Sequence, residues 1–362
     1  MHLSFHALKI ASREPVAEDA VCLRLDIPEA LRGAYSFVPG QHVALRTVLA
    51  GRELRRTYSI VNAFCSDALR VGIRVQQEGG LSHFLAHQAQ VGDQVDVLCP
   101  TGGFLHSAGN CAARSYVAFA AGSGITPVLS IATAVLESEP ESQFLLFYGN
   151  RTTARTMFVE EVLALKNRFL ARFAVHFIMS REPQEMEVFN GRLDAAKIRE
   201  LAGTLFDPVT VDEVFVCGPG DMVASTCETL RALGVKAPIH VERFTTEASA
   251  ASACKASADA ARADPGLADE ATVTVILDGR RRRFTMLPSD ESVLAAGERA
   301  GLELPYSCRA GVCSTCRAKV VSGAVTMANN VALEDWELAA GFVLCCQSRP
   351  TSRELELSYD EK

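Results

Sequence analysis

The sequence predicts a multidomain chain: an antiparallel β-barrel, then an α/β domain on a parallel sheet, then a small α+β domain. Three observations carry this. Up to about residue 108, short alternating apolar and polar runs recur between turn residues, as half-buried antiparallel strands do. From Ser115 onward, continuous apolar runs alternate with helical spacing, which implies a parallel sheet covered on both faces. Over 245–270 the large apolar side chains vanish, and beyond them a hairpin, a helix and a cluster of cysteines follow.

In the first region, "AVCLRLDI", "QHVALRTV", "RRTYSIV" and "LRVGIRV" are examples of the strands of a barrel domain over 1–110. In the second, "YVAFAA", "QFLLFYG", "FAVHFIM" and "DEVFVC" are buried strands. "PVLSIATAVL" and "MFVEEVLALKNRF" are the helices between them, and the domain runs over 111–244 to "HVERF". The stretch "TTEASAASACKASADAARADPGLADE", 245–270, cannot bury a core and reads as a linker. The last domain, 271–362, opens with a hairpin "ATVTVILDGRRRRFTML" and a helix "SVLAAGERAG". Its arginine run at 280–283 stands beside an Asp-Gly turn and suits a solvated hairpin edge or a partner-docking patch.

Composition narrows the function classes. A net charge of −7 argues against a nucleic-acid-binding surface. The start of the chain lacks the basic, apolar and small-residue regions of a signal peptide. The longest apolar run, 116–136, is broken by Gly-Ser-Gly and a proline, so no membrane span is expected and the protein is expected in the cytoplasm. Twelve cysteines without an export signal point to reduced thiols, hence to metal or redox chemistry.

Cys308, Cys313 and Cys316 in "LPYSCRAGVCSTCRAKV" have the spacing C-x4-C-x2-C, which a distant fourth cysteine completes as the plant-type 2Fe–2S pattern. A tight loop can wrap three thiolates around a cluster whose fourth corner a remote segment closes. Small residues between the ligands let backbone N–H groups approach the sulfurs. A structural zinc site fits less well, because zinc ribbons pair two C-x2-C knuckles and this chain has one. The fourth ligand is Cys345 or Cys346, which differ by one position in "GFVLCCQSRP". Strand alternation would put Phe342, Leu344 and Cys346 on one face and Val343, Cys345 and Gln347 on the other, so one thiol faces the cluster.

Six further segments suit nucleotides. "LRRTYSIV" places Arg56 and Tyr58 on one strand face with Ser59 beyond them, a guanidinium for pyrophosphate and a ring for a flat heterocycle. In "EGGLSHFL", Gly80, Leu81 and Ser82 open a helix whose N–H groups could meet phosphate. "AAGSGITPVLSI" runs a buried strand into Gly122, Ser123 and Gly124, then Thr126 and Pro127 on a helix, a close backbone approach to an anion. Asn150 and Arg151 end the next strand and Ser180 and Arg181 the one after. Arginines there favour the 2′-phosphate of NADPH, with NADH also open. Cys217 ends a strand before Gly218 and Pro219, where parallel sheets bind ligands. Taken singly, each segment also suits an ordinary turn or a solvated side chain.

Arg56-x-Tyr58-Ser59, Gly122-Ser123-Gly124-x-Thr126-Pro127, Cys217-Gly218-Pro219 and Glu242-x-Phe244 together resemble the ferredoxin–NADP reductase superfamily over 1 to about 244. From about 271 the chain resembles plant-type ferredoxins of the β-grasp fold. "FVPGQHVAL", "GRELRRTYSI", "ESQFLLFYGNRT" and "ERF" are similar to the reductase components of phenylacetyl-CoA ring epoxidases. The resemblance implies FAD held at Arg56, Tyr58, Gly80, Leu81, Ser82, Thr126 and Phe244. It implies NADPH at Gly122 to Gly124, and a hydride site of Ser59, Cys217 and Glu242. It also implies that the last ligand precedes a glutamine, which selects Cys346. Electrons would pass from NADPH through FAD and a 2Fe–2S cluster to a di-iron oxygenase. Two alternatives stand beside this: a reductase for a Rieske-type oxygenase such as a steroid hydroxylase, and a redox sensor or carrier that does not turn over.

Overall fold

The computed structural model describes residues 4–65, 67–76, 78–106, 113–244, 270–333 and 335–361. The linker expected at 245–270 lies outside the described residues apart from Glu270.

The first unit is built from β1 (Phe5–Ala17), β2 (Ala20–Asp26), β3 (His42–Leu49), β4 (Arg52–Ser59), β5 (Ala68–Arg74) and β6 (Gln94–Leu98). They pair in the order β4-β3-β6-β1-β2-β5, and every pairing is antiparallel. A bridge between Ile60 and Val71 brings the chain after β4 onto β5 and closes the barrel. Alternation at Leu23 and Leu25, Val43 and Leu45, and Val95 and Val97 sends one face of each strand into a shared core. Burial of each such side chain contributes about 1.5–3 kcal/mol. β1 has a polar middle and carries Pro15 near its end. Register shifts between Ile10 and Ser12 and between Pro15 and Ala17 accommodate both features.

The second unit has β7 (Ser115–Ala121), β8 (Gln143–Asn150), β9 (Phe173–Met179), β10 (Glu213–Pro219) and β11 (Ile239–Phe244), all parallel, in the order β11-β10-β7-β8-β9. The short α1 (Leu81–His83) belongs to the barrel, and α2 (Ile125–Ser138), α3 (Val159–Arg168), α4 (Ala195–Leu201) and α5 (Gly220–Ala232) cover the sheet. Separate apolar clusters fill its two faces, which is why these strands are apolar throughout. The chain runs outward from β7 to β9, then returns to β10 on the other side of β7. The carboxyl ends of β7 and β10 therefore flank a topological switch point, where such sheets bind ligands.

The third unit contains β12 (Ala271–Leu277), β13 (Arg280–Met286), α6 (Val293–Arg299), β14 (Arg317–Ser322), β15 (Val325–Met327), α7 (Asp335–Ala339), β16 (Phe342–Leu344), β17 (Ser348–Pro350) and β18 (Glu354–Ser358). Its main sheet has the order β13-β12-β18-β14-β16 and is mixed, with β12 and β18 parallel. Ser292 caps α6 by accepting from Ala295 N at 3.2 Å, and the helix packs Val293, Leu294 and Ala296 into the core. The arginines at 280–283 are exposed on β13, an edge strand. The alternation argument for the paired cysteines does not hold. β16 stops at Leu344, where Gln347 N bonds back to Leu344 O, so Cys345 and Cys346 lie in a turn.

Candidate functional site

Three strand ends from two units meet at one carboxylate. His42 lies directly across from Ser59 in the β3–β4 ladder, and Cys217 lies beside Glu242 in the β10–β11 ladder. Ser59 Oγ donates to Glu242 Oε2 at 3.0 Å, and Cys217 Sγ reaches the same oxygen at 3.8 Å. His42 Nδ1 stands 3.5 Å from Oε1. The structure thus brings together Ser59, Cys217 and Glu242, which the sequence reading grouped, and adds His42, which it missed. Burial pushes the Cys217 thiol well above its ordinary range and the Glu242 carboxylate adds to this, so Cys217 is a neutral donor and not a thiolate nucleophile. The β3–β4 hairpin held the missing signal. Pairing back from its turn at Ala50 and Gly51 sets His42 opposite Ser59.

The switch-point crevice is lined by backbone. Gly122 has φ +58°, and a Cβ at Gly124 would sit 2.2 Å from the Cys217 carbonyl oxygen, so no larger residue fits. Tyr148 OH donates to Gly122 O at 3.0 Å, and Thr126 Oγ1 to Ser123 O at 2.9 Å, which fixes the turn ahead of α2. Pro127 lies in the first turn of α2, where its missing N–H costs nothing. Gly218 and Pro219 end β10 and lead into α5, so two long helices start at this crevice with N–H groups suited to an anion.

Farther along the same edge, Asn150 is 8 % exposed, and neither its Oδ1 nor its Nδ2 has a hydrogen-bond partner among the described residues. A buried amide left so is expensive unless a ligand meets it. Ser180 N donates to Asn150 O at 3.0 Å and Arg181 N to Arg151 O at 2.9 Å, which clips the two loops together. Arg151 and Arg181 are both exposed. Arg74 of β5 was not foreseen. A Cβ on Gly122 would lie 3.5 Å from its Nη1, so this barrel arginine borders the glycine turn. It is held there by Nη2 donating to Arg155 O at 2.5 Å and by Asp19 at 3.7 Å. These groups together fit a dinucleotide phosphate chain.

On the barrel, Arg56 and Tyr58 are half-buried on the same face of β4, and Arg56 Nη1 donates to Arg55 O at 2.6 Å. Gly79 has φ +75° and Gly80 precedes α1, so the backbone there is shaped for a close approach. Leu81 and Ser82 are buried, and Ser82 Oγ accepts from Gln76 N at 3.3 Å, so its hydroxyl braces the loop. Thr126 touches the barrel, since a Cβ at Gly72 would meet its Cγ2 at 2.6 Å. Phe244, at the end of β11, packs partly buried against the core of the second unit.

In the third unit the cysteines fall into two pairs. Cys308 N donates to Cys313 Sγ at 3.5 Å, and Cys346 N to Cys316 Sγ at 3.5 Å. Ala310 N reaches Cys308 Sγ at 3.3 Å, and Gln347 Nε2 lies 3.7 Å from Cys346 Sγ. Within the first pair Cys313 ionises more readily, because Cys308 hydrogen-bonds to it. Among the described residues, no group of three or more His, Cys, Asp or Glu side chains is arranged to hold one metal ion. Two thiol pairs served by backbone N–H donors suit a binuclear iron–sulfur cluster instead. Arg309, Gly311 and Ser314 have positive φ, and a Cβ on Gly311 would approach Asn329 O to 2.8 Å. Left-handed backbone at two non-glycine residues so close together is uncommon. Cys345 is fully buried against Tyr359, away from this set, and burial raises its thiol to about 12.

The cysteine loop rests on β4. Thr57 Oγ1 lies 3.4 Å from Ser307 Oγ, and the Arg55 guanidinium stacks 4.0 Å from the Tyr306 ring centre. Arg309 covers the same ring at 4.3 Å, and Tyr306 OH reaches Glu53 Oε1 at 3.4 Å. One strand thus carries Ser59 at the carboxylate site and Thr57 at the cysteine loop.

Comparison with known proteins agrees with this division. Residues 7–106 match the oxidoreductase FAD-binding domain, 119–228 the oxidoreductase NAD-binding domain and 275–351 the 2Fe-2S iron-sulfur cluster binding domain. The chain is 38% identical over 99% of its length, and 99% of the relative's, to one of the subunits of the 1,2-phenylacetyl-CoA epoxidase of Escherichia coli (strain K12). It is 33% identical over 93% of its length, and 89% of the relative's, to the ferredoxin reductase component of 3-ketosteroid-9-alpha-monooxygenase from Mycobacterium tuberculosis (strain CDC 1551 / Oshkosh). The fold is that of phthalate dioxygenase reductase, with a TM-score of 0.54, 23% identity and 98% of each chain covered. No helix among the described residues is long and apolar enough to cross a membrane.

Proposed function

Because the chain belongs to the family of reductases in which FAD-binding, NAD-binding and 2Fe–2S domains follow one another, we propose that it carries electrons from NADPH to a di-iron oxygenase, the phenylacetyl-CoA epoxidase of phenylacetate breakdown. The observation that carries this is the continuity of β4, which holds Ser59 at the Glu242 carboxylate and Thr57 at the cysteine loop. One strand between the two sites keeps their separation defined while the cysteine loop is docked on it.

FAD is assigned to 1–110, the coenzyme to 111–244 and the cluster to 271–362, with 245–270 joining the last two. When bound, the flavin supplies the conversion of a hydride into single electrons, and the cluster their storage one at a time. The chain's part is to hold and orient. Arg56 and the backbone at Gly80 and Leu81 would bind the flavin pyrophosphate, and Tyr58, Thr126 and Phe244 would border its ring. Gly122, Ser123, Gly124, Pro127, Gly218 and Pro219 would cradle the coenzyme, with Asn150, Arg151, Ser180 and Arg181 at its 2′-phosphate. Ser59, Cys217 and Glu242 would surround the hydride site, and Cys308, Cys313, Cys316 and Cys346 would ligate the cluster. Anaerobic titration of the holoprotein with NADPH tests this. Flavin and cluster bands should bleach together, and a flavin that reduces while the cluster stays oxidised overturns the relay.

The similarity to the 3-ketosteroid-9-alpha-monooxygenase component favours a second reading, a Rieske-type oxygenase partner with the same relay. Co-purification with one oxygenase or the other separates the two. A sensor or carrier that does not turn over is disfavoured by the assembled Ser59–Cys217–Glu242 set. Fast NADPH-dependent reduction of cytochrome c would exclude it.

A further inference from the structure

We propose that the outer edge of β13 is a docking strand for an acidic, extended segment of the oxygenase that receives the electrons, an inference that rests on the reductase reading given above. The arginines at 280–283 are consecutive and all exposed, in a chain of net charge −7. They stand on an edge strand: β12 pairs with one side of β13, and among the described residues no strand pairs with the other. Arg281 Nη2 meets Glu356 Oε1 at 3.0 Å, yet its side chain stays 69 % exposed. Arg280, Arg282 and Arg283 meet no carboxylate among the described residues.

The hairpin turn fixes which backbone groups face outward. Asp278 and Gly279 have φ +53° and +70°, the type I′ turn of a two-residue loop, so Leu277 and Arg280 form a hydrogen-bonded pair. Arg280, Arg282 and Phe284 therefore bond to β12, and Arg281, Arg283 and Thr285 turn their N–H and C=O groups to the open side. Arg299 Nη2 donates to Thr285 O at 2.7 Å, as this register requires. Asp360 holds the turn, its two oxygens accepting from Asp278 N and Gly279 N at 2.8 Å each, so the edge is preformed. Phe284 and Met286 are buried, which puts Arg280 and Arg282 on their face of the strand and Arg281 and Arg283 on the other. Guanidinium groups thus flank the open edge on both faces.

An extended segment added to this edge would pair its backbone with Arg281 and Arg283 and turn alternate side chains toward both rows of arginine, so carboxylates along it fit. The net negative charge of the chain repels an acidic protein elsewhere and directs it to this strand. The unit that carries β13 is also the one that carries the cysteine loop, so the protein that must find it is the electron acceptor. Edge arginines also keep strands of separate molecules apart, but a row of glutamates would do that equally well, and charge reversal separates the two uses.

The test is stopped flow on the prereduced holoprotein, mixed with the di-iron or the Rieske-type oxygenase and, as a control acceptor, with the basic protein cytochrome c. In the double variant Arg281→Glu/Arg283→Glu, delivery to the oxygenase that accepts from the parent should fall about tenfold or more at low salt, and the deficit should shrink as sodium chloride is added. NADPH-driven bleaching of flavin and cluster should keep the parent rate, and delivery to cytochrome c should hold or rise. Arg283→Pro, which removes an outward N–H and leaves the β12 ladder intact, should slow delivery to the oxygenase more than Arg283→Thr. Unchanged delivery in the double variant overturns the docking edge. So does equal slowing toward oxygenase and cytochrome c, which would mark general damage to the unit. Equal rates in Arg283→Pro and Arg283→Thr overturn strand addition. A parent dimer that the double variant dissociates, seen by sedimentation, makes a second copy of this chain the occupant and overturns the proposal. A parent whose cluster bleaches with NADPH but passes electrons to neither oxygenase refutes the proposed function and takes this inference with it, a failure visible in the parent before any variant is made.

Discussion

Ser59 Oγ donates to Glu242 Oε2 at 3.0 Å, and this bond ties the last residue of β4 to the last strand of the parallel sheet. It ties two units at the point where chemistry is expected, so changes there should affect rate more than folding. A hydrogen bond to a charged group contributes about 1.5–3 kcal/mol. Ser59→Ala should therefore slow NADPH-driven flavin bleaching about ten- to a hundredfold while FAD content is kept. Stopped-flow absorbance checks this, and an unchanged bleaching rate would remove Ser59 from the hydride site.

Arg151 and Arg181 stand on loops joined by the Arg181 N to Arg151 O bond of 2.9 Å, so they form one candidate phosphate site. Replacing either with alanine should raise KM for NADPH about tenfold, which corresponds to 1.4 kcal/mol, and leave KM for NADH nearly unchanged. Equal effects on both coenzymes would take the 2′-phosphate away from this pair.

Cys346 N meets Cys316 Sγ at 3.5 Å, whereas Cys345 is buried against Tyr359. Cys346→Ser should perturb or abolish the visible cluster spectrum. Cys345→Ser should keep that spectrum and lower stability by about 1–3 kcal/mol, because a hydroxyl replaces a buried thiol. Absorbance and iron content of the two purified variants check this, and the reverse outcome would move the fourth ligand by one residue.

The sequence carried most of the architecture because both sheet types write their burial into the residue pattern. "YVAFAA" is apolar on both faces because the clusters on each side of β7 need it so, and "LRVGIRV" alternates because only one face of β5 meets the barrel core. The exact course of β1 is harder to read, since register shifts after Ile10 and Pro15 interrupt its alternation. The paired cysteines lie outside strand periodicity because β16 ends one residue before them. Ser59, Cys217 and Glu242 belong to recognisable strings, and His42 is found only by pairing β3 back from its hairpin turn, but Arg74 acquires its place only when the barrel meets the parallel-sheet unit. No local pattern announces a contact such as Thr57 with Ser307, which depends on how the third unit docks.

That docking includes a cation–π contact across the two units. The Arg55 guanidinium of the barrel lies 4.0 Å from the Tyr306 ring centre and Arg309 of the third unit 4.3 Å from it, and each cation–π contact is worth about 0.5–1 kcal/mol at such sites. Contacts this weak suit a cluster domain that must release β4 to meet a partner. Tyr306→Ala should slow cluster bleaching relative to flavin bleaching about fivefold or more, in line with losing about 1 kcal/mol of docking. Flavin bleaching by NADPH should stay near the parent rate. An unchanged ratio of the two rates would show that the stack does not hold the productive arrangement.

At the opposite end of the parallel sheet, His106 lies between two carboxylates. Its Nε2 is 2.8 Å from Glu139 Oε1 and its Nδ1 3.4 Å from Glu213 Oε2. Glu139 also accepts from Tyr116 OH at 2.9 Å and Ser142 Oγ at 2.7 Å, while His240 and Arg114 face Glu213 at 2.7 and 3.7 Å. Burial by itself lowers the His106 pKa, and the hydrogen bond and charge of Glu213, with Glu139, outweigh it, so the value is raised. A raised folded-state pKa means that the proton binds more tightly in the folded protein. The stability gained is fully present below the unfolded value of about 6.5 and is lost as pH rises through the folded value. Urea unfolding at a series of pH values should therefore show stability falling as pH increases above about 6.5, with a flatter dependence in His106→Gln. A His106→Gln profile parallel to the parent's would mean that the imidazole is neutral in both states and that Glu213 is balanced by His240 and Arg114.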